Sequence, residues 1–417
     1  MKNLKKANLF WLLSVILLAG CGNPMLPADE TTPDWAPAGA VKEELAPQAP
    51  VAAPKRNQII VAVKPGAKLI RVQSAGERVV QSLKLSNSYQ VVELPEGMSV
   101  EEGKALYAKN PAVAYVAENR FYHTTAVNDP LASEQWASSS KRLDLEPVWA
   151  KNIDASGVVV AILDSGIDYN HPDLQGRVMR GWNFMDNSSD IMDRVGHGTH
   201  VAGIIGASAG NGIGVAGVAN CKLMAIKVLN DQGTGTTDAV AAGIKYAADY
   251  GAKVINMSLG SSNTQIDPVI HDALEYARAK GCVAIAAAGN DHSAVGCPAN
   301  DPLTVAVSST SHFLSWEYIS WFSNRGPEVA VAAPGGGIMS TLPTSSNLMG
   351  KTMYGKLSGT SMAAPFVSGE AALLFALHPN WSADSVVNQI VHSADQKKGG
   401  KNIYYGWGRI NIHRAIN

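Results

Sequence analysis

From about residue 126 onward, short and continuous β-branched apolar runs alternate with stretches of helical length. The runs are residues 158–163, 223–228, 254–257, 283–287 and 303–307; helical stretches at 200–207, 237–250 and 267–280 lie between them. A run that is apolar at every position suits a strand covered on both faces. Strand and helix in alternation predict an α/β fold, with a mostly parallel sheet and helices on both faces. In such sheets, sites collect at the carboxyl ends of the strands.

The chain before this region reads differently. Strands are expected at 58–63, ended by Pro65-Gly66, at 89–94, ended by Pro95-Glu96-Gly97, and at 113–116. With a helix at 100–109 they suggest a small α+β module. Residues 22–56, rich in Pro, Ala and acidic groups, lack the apolar surface to fold and read as a tether. At the start, Lys2, Lys5 and Lys6 precede an apolar stretch, 9–19, too short for a membrane span. It ends in Leu18-Ala19-Gly20-Cys21, which resembles a bacterial lipoprotein processing site. That resemblance implies a lipidated Cys21 as the first mature residue and the membrane as a partner through it. No later segment is expected to span a membrane. The net charge of −1 excludes a nucleic-acid partner held by electrostatics. Four cysteines are too few for a disulfide scaffold, though Cys282 and Cys297 form a candidate bridge.

Four polar residues stand where this architecture would gather them. Asp164 directly follows a strand, in Asp-Ser-Gly-Ile-Asp. His197 sits in Gly196-His197-Gly198-Thr199-His200 before a helix. Asn290 follows another strand, in Ala-Ala-Gly-Asn. Ser361 lies in the turn Gly359-Thr360-Ser361-Met362-Ala363-Ala364-Pro365 ahead of the apolar helix 366–377. Pro365 is expected in that helix's first turn. Singly, each residue reads as a cap or turn. Together they are a nucleophile, its base, an orienter for the base and an amide donor for an oxyanion. His197-x-x-His200 as a zinc pair lacks the Glu that a metal hydrolase carries beside it.

Here the chain resembles the subtilisin-like serine proteases, over residues 126–417 and including Tyr405-Gly406-Trp407-Gly408-Arg409-Ile410-Asn411. The order Asp, His, Ser is subtilisin's. The resemblance implies a triad of Asp164, His197 and Ser361, with Asn290 and the Ser361 N–H as the oxyanion hole. It also implies an inhibitory, chaperoning propeptide at 57–125 with a ferredoxin-like fold, after a signal (1–20) and linker (21–56). The enzyme would be a monomeric, self-processed endopeptidase of the cell envelope acting on proteins and peptides. Substrate would add as a strand between Gly233-Thr234-Gly235 and Ser258-Leu259-Gly260. The primary pocket would be walled by Ser258 to Gly260 and by Ala287, Ala288 and Gly289, with Gly296 at its base. With no charge aimed into it, apolar residues are expected at the cleaved position. Thr237, with Val240 behind, would leave a roomy pocket further along.

Asn128, Asp129, Asp173, Asn211, Ile213 and Val215 resemble the family's calcium site, and hard oxygen ligands suit Ca²⁺. Phe366 stands where the family usually has His, and reads as a packing variant. The aromatic loop 312–321 reads either as extra surface packing or as a patch for a partner or membrane.

Overall fold

The computed structural model describes residues 57–67, 77–84, 88–119, 127–314, 316–397 and 399–417. Cys21, the tether and the junction around Thr125 lie outside the described residues. The chain divides into two compact units, before and after residue 121.

In the first unit, strands β1 (Gln58–Val63), β2 (Arg78–Lys84), β3 (Ser88–Glu93) and β4 (Val113–Glu118) form a sheet of order β2-β3-β1-β4, antiparallel throughout. Helix α1 (Val100–Ala108) starts in a capping box: Ser99 Oγ accepts from the Glu102 N–H, and the Glu102 carboxylate accepts from the Ser99 N–H. Ile59, Val61, Val92, Leu94 and Tyr107 fill the core. Strand β2 was not expected from the sequence. It lies at the sheet edge with Val79 and Val80 exposed, and so carries no inward apolar run.

The second unit opens with two short 3₁₀ helices, Ala132–Glu134 and Trp136–Ser138, followed by α2 (Leu145–Ala150). Its sheet is built from β5 (Val159–Asp164), β6 (Val178–Asn183), β7 (Lys222–Lys227), β8 (Val254–Met257), β9 (Val283–Ala287), β10 (Thr304–Phe313), β11 (Trp316–Ile319) and β12 (Val329–Pro334). The order is β11-β10-β9-β8-β5-β7-β6, with β12 also on β10; every pairing is parallel except β10 with β11. Side chains alternate between two cores. Val160 and Ile162 of β5 face helices α3 (His197–Gly206), α6 (Thr360–Leu377) and α7 (Ala383–Ser393), while Ala161 and Leu163 face α4 (Thr237–Asp249) and α5 (Pro268–Ala279). Strands β13 (Ile338–Leu342) and β14 (Met353–Leu357) form a separate hairpin, and α8 (Ile412–Ala415) ends the chain. The expected α/β architecture is therefore present. The unexpected strands of this unit, β6 and β11 to β14, are edge strands, a hairpin and one strand outside the central path, without the β-α alternation; helices α2, α7 and α8 are unexpected as well.

Four expectations need correction. Pro365 lies inside α6, beyond its first turn. The 18-residue α6 does have the length and apolarity of a membrane span, but 83% of it is buried in the fold. Cys221, Cys282 and Cys297 are free and buried; Cys282 Sγ donates to the Ala252 carbonyl at 3.1 Å instead of bridging. The aromatic loop packs only in part, through His312 stacked on Trp136 with ring centroids 4.2 Å apart. It is the β10–β11 hairpin, with Phe313, Leu314, Trp316 and Trp321 66–81% exposed. Phe366 is buried in α6, as a packing residue should be.

Candidate active site

Asp164 is the last residue of β5 and His197 the first of α3. The His197 Nδ1–H donates to the Asp164 carboxylate, 2.8 Å from Oδ1 and 2.9 Å from Oδ2. This fixes the tautomer and leaves Nε2 as an acceptor. Burial alone would push the His197 ring down; the charge and hydrogen bond of Asp164, with Asp193 behind, outweigh it and raise the pKa above its ordinary value. His200, one turn along, is fully buried and donates from Nε2 to the carbonyls of Ile338 (3.0 Å) and Gly355 (3.1 Å). Burial pushes it down to about 3, so it is a neutral structural residue, engaged away from His197.

Ser361 is the second residue of α6, where a helix leaves its amides free. Its hydroxyl donates to the Ser258 carbonyl at 3.1 Å and makes no hydrogen bond with His197 among the described residues. Catalytic hydrogen bonds are commonly unformed without substrate. Asn290 is held by its carbonyl: Oδ1 accepts from the N–H (2.8 Å) and hydroxyl (3.0 Å) of Thr360. Its Nδ2 donates no hydrogen bond among the described residues, and Asn290 lines a cavity with Ser361.

The supports behind these groups are not legible in the sequence motifs. Asp193 is buried and accepts five hydrogen bonds: Oδ1 from Ser165 Oγ and the N–H groups of Val195 and Gly196 (2.9 Å each), Oδ2 from Thr199 N–H (2.8 Å) and Oγ (2.7 Å). It ties down the turn that launches α3. Ser165 Oγ lies between carboxylates, 3.1 Å from Asp164 Oδ1. Lys227, also buried, donates to the Ser165 carbonyl (2.6 Å) and to Asp231 (2.9 Å). A carboxylate just ahead of a helix start was the available signal for Asp193.

Two cavities flank this group. The larger, about 520 Å³, is lined by His197, Gly233, Thr234, Gly235, Thr237 and Val240, with Ser258, Leu259 and Gly260 opposite. The smaller, about 180 Å³, is lined by Leu259, Gly260, Ala287, Ala288, Gly289, Gly296, Asn290 and Ser361. Every substrate residue expected from the sequence lies on one or both. A side chain at Gly296 would run into the Ser261 carbonyl oxygen, which explains the glycine. One correction applies: Asp291 also lines the smaller cavity, so a charge does stand there.

Of the expected metal ligands, Asp129, Asp173 and Asn211 meet through hydrogen bonds, and Ile213 and Val215 join them by their N–H groups. The Asp129 carboxylate accepts from the N–H groups of Gly210 (2.8 Å) and Asn211 (3.1 Å). Asp173 accepts from Asn211 Nδ2 (2.8 Å) and the Val215 N–H (2.9 Å). Asn211 Oδ1 accepts from the Ile213 N–H at 2.8 Å. Burial, with Asp129 adding to it, raises the Asp173 carboxyl to about 6. Among the described residues, two buried carboxylates with no cationic partner in their hydrogen-bonding set, beside the Asn211 amide oxygen, fit a hard divalent cation. Among the described residues no three His, Cys, Asp or Glu side chains gather as a metal cluster.

Residues 155–408 match the subtilase family, and residues 42–119 match the fervidolysin N-terminal prodomain. The chain is 42% identical over 291 residues to thermitase of Thermoactinomyces vulgaris, covering 69% of this chain and 98% of that one. It is 33% identical over 387 residues to the halolysin-like extracellular serine protease Nep of Natrialba magadii, covering 87% and 68%. Among solved structures, a protease from Pseudoalteromonas arctica PAMC 21717 superposes with a TM-score of 0.63 at 31% identity, covering 70% of this chain and 98% of that one.

Proposed function

Because this chain belongs to the subtilase family of serine endopeptidases, we propose that Asp164, His197 and Ser361 form its catalytic triad, hydrolysing peptide bonds in proteins. The observation that carries this is the hold of the Asp164 carboxylate on His197 Nδ1, with both oxygens within 2.9 Å. Ser361 turns from the Ser258 carbonyl to His197 Nε2, gives up its proton and attacks the scissile carbonyl. Asn290 Nδ2 and the Ser361 N–H hold the oxyanion. His197 then protonates the departing amine, and water, deprotonated by His197, releases the acyl group from Ser361. The smaller cavity takes an apolar side chain at the cleaved position, with Asp291 at its edge. Thr237 and Val240 bound the pocket further upstream.

The family and prodomain matches support a self-processed precursor, with residues 57–125 as inhibitor and chaperone. We place the first cut between Thr125 and Ala126, with Tyr122 in the Thr237 pocket; a cut after His123 would put Arg120 there. Lipidated Cys21 holds the precursor at a membrane outside the cytoplasm, and an extracellular relative supports that side. The mature domain acts as a monomer and leaves the anchor once cut. Asp129, Asp173, Asn211 and the carbonyls of Ile213 and Val215 would hold Ca²⁺, which would supply structural stability.

Ser361→Ala is the test. Wild type is expected to process itself, digest casein and be blocked by an irreversible serine-directed inhibitor, while the variant accumulates as precursor. Equal processing in both would overturn self-cleavage, and N-terminal sequencing fixes the junction.

A further inference from the structure

The loop between β13 and β14 does not stand out in solvent. It folds back so that the Leu348 N–H donates to the Arg194 carbonyl (3.0 Å) and the Met349 N–H to the Val195 carbonyl (3.1 Å). Arg194 and Val195 lead directly into Gly196-His197. The loop is also pinned from within. Asn347 Nδ2 donates to the carbonyls of Ser345 (3.0 Å) and Lys351 (2.7 Å), and Thr344 donates to Asp168 through its N–H (2.8 Å) and hydroxyl (2.7 Å). These bonds hold two apolar side chains in water: Leu348 is 64% exposed and Met349 36%. Both line the larger cavity on its His197 side, with Val195, Leu229 and Gln232. Apolar surface fixed at a cleft mouth favours whatever ligand covers it.

We propose that Leu348 and Met349 form an apolar roof that selects a large apolar side chain immediately before the cleaved position. This rests on the Asp164–His197–Ser361 reading. An extended substrate points successive side chains to opposite sides. With the cleaved residue in the smaller cavity, the residue before it turns toward His197 and meets the roof. Of the remaining walls there, Val195 and Leu229 are apolar as well and Gln232 is polar, so the position is a mainly apolar enclosure bordered by the loop.

The experiment uses short peptides with Phe at the cleaved position, one reporter leaving group, and Leu, Phe, Gly or Lys before the Phe. Wild type is expected to prefer Leu and Phe over Gly in kcat/KM. In Leu348→Ser/Met349→Ser that preference should fall about tenfold, the range set by losing a small apolar contact. Leu348→Glu should raise kcat/KM for the Lys peptide severalfold at low ionic strength, a gain that misfolding cannot produce. Leu-to-Gly and Lys-to-Gly ratios unchanged in both variants would overturn the roof. Failure of the wild type to cleave any peptide, with no inhibitor labelling of Ser361, would overturn the triad and the roof together.

Discussion

Ser258 and Ser361 hold each other by two reciprocal hydrogen bonds: Ser258 Oγ donates to the Ser361 carbonyl at 2.8 Å, and Ser361 Oγ donates to the Ser258 carbonyl at 3.1 Å. The first bond exists because of Pro365. In a regular helix the Ser361 carbonyl would accept from the N–H four residues on, and proline has none. The Ser258 hydroxyl takes its place, and it is itself held by Asn256 Nδ2 (2.9 Å), whose Oδ1 accepts from Ser368 of the same helix (2.8 Å). The buried chain Ser368–Asn256–Ser258–Ser361 thus registers the start of α6 against the end of β8.

Ser258→Ala is expected to lower kcat about tenfold, since it leaves the Ser361 carbonyl and Asn256 Nδ2 unpaired, each worth about 1–3 kcal/mol. In a Pro365→Ala background, where the backbone regains the N–H that proline lacks, the same change should cost less. Steady-state kinetics of the four proteins check this. Additive losses would count against the compensation.

The raised pKa of His197 sets the acid limb of activity. The ring must be neutral to accept the Ser361 proton, so kcat/KM should rise with pH through a midpoint above the ordinary value of about 6.5. Asp193→Asn removes a negative charge that favours the protonated ring, so the limb should move to lower pH. A pH profile of kcat/KM on a peptide amide decides it, and a limb that moves upward would contradict the electrostatic account.

Much of this was legible in the sequence because the decisive segments are buried on both faces. β8 and β9 fall where the apolar runs do, Asp164 closes β5, and Asn290 follows the end of β9. What was not legible depends on partners remote in sequence. Asp193 is an ordinary turn carboxylate until Ser165 and Thr199 arrive beside it. Leu348 and Met349 carry no local signal of a site, because only their pairing with Arg194 and Val195 places them at the cleft. Pro365 was misplaced because local rules exclude proline from a helix interior, and Ser258, 103 residues before Ser361, supplies the compensation.

Asp291 on the smaller cavity should let a cationic residue compete at the cleaved position. Asp291→Asn is expected to lower kcat/KM for a Lys substrate several-fold at low ionic strength and to leave a Phe substrate within about twofold, because a partly exposed pair is worth about 0–1 kcal/mol. Raised salt should shrink the difference. Equal effects on both substrates would place the carboxylate outside recognition.

Calcium removal should cost stability rather than chemistry. An ion bound only by the folded state at 100 times its Kd contributes about 2.7 kcal/mol, enough to move Tm by several degrees in a domain of this size. Excess EDTA is expected to lower Tm in wild type, and Asp129→Asn/Asp173→Asn to abolish that response. An EDTA-insensitive wild type would remove the ion from the account.

Glu370 lies fully buried in α6, and among the described residues neither carboxylate oxygen has a hydrogen-bond partner. Burial raises its carboxyl well above the ordinary value, so it stays protonated in the folded protein where the unfolded chain would already be ionised. Between about pH 4.3, the unfolded value, and the raised folded value, the native state therefore binds more protons. Stability from this group falls as pH rises across that window. Glu370→Met, similar in length and apolar, should raise Tm at pH 8, and by less at pH 5, where the wild-type side chain is closer to neutral in both states. Differential scanning calorimetry of the Ser361→Ala form, which avoids self-digestion, measures both differences. A gain no larger at pH 8 than at pH 5 would mean that Glu370 finds a partner when ionised.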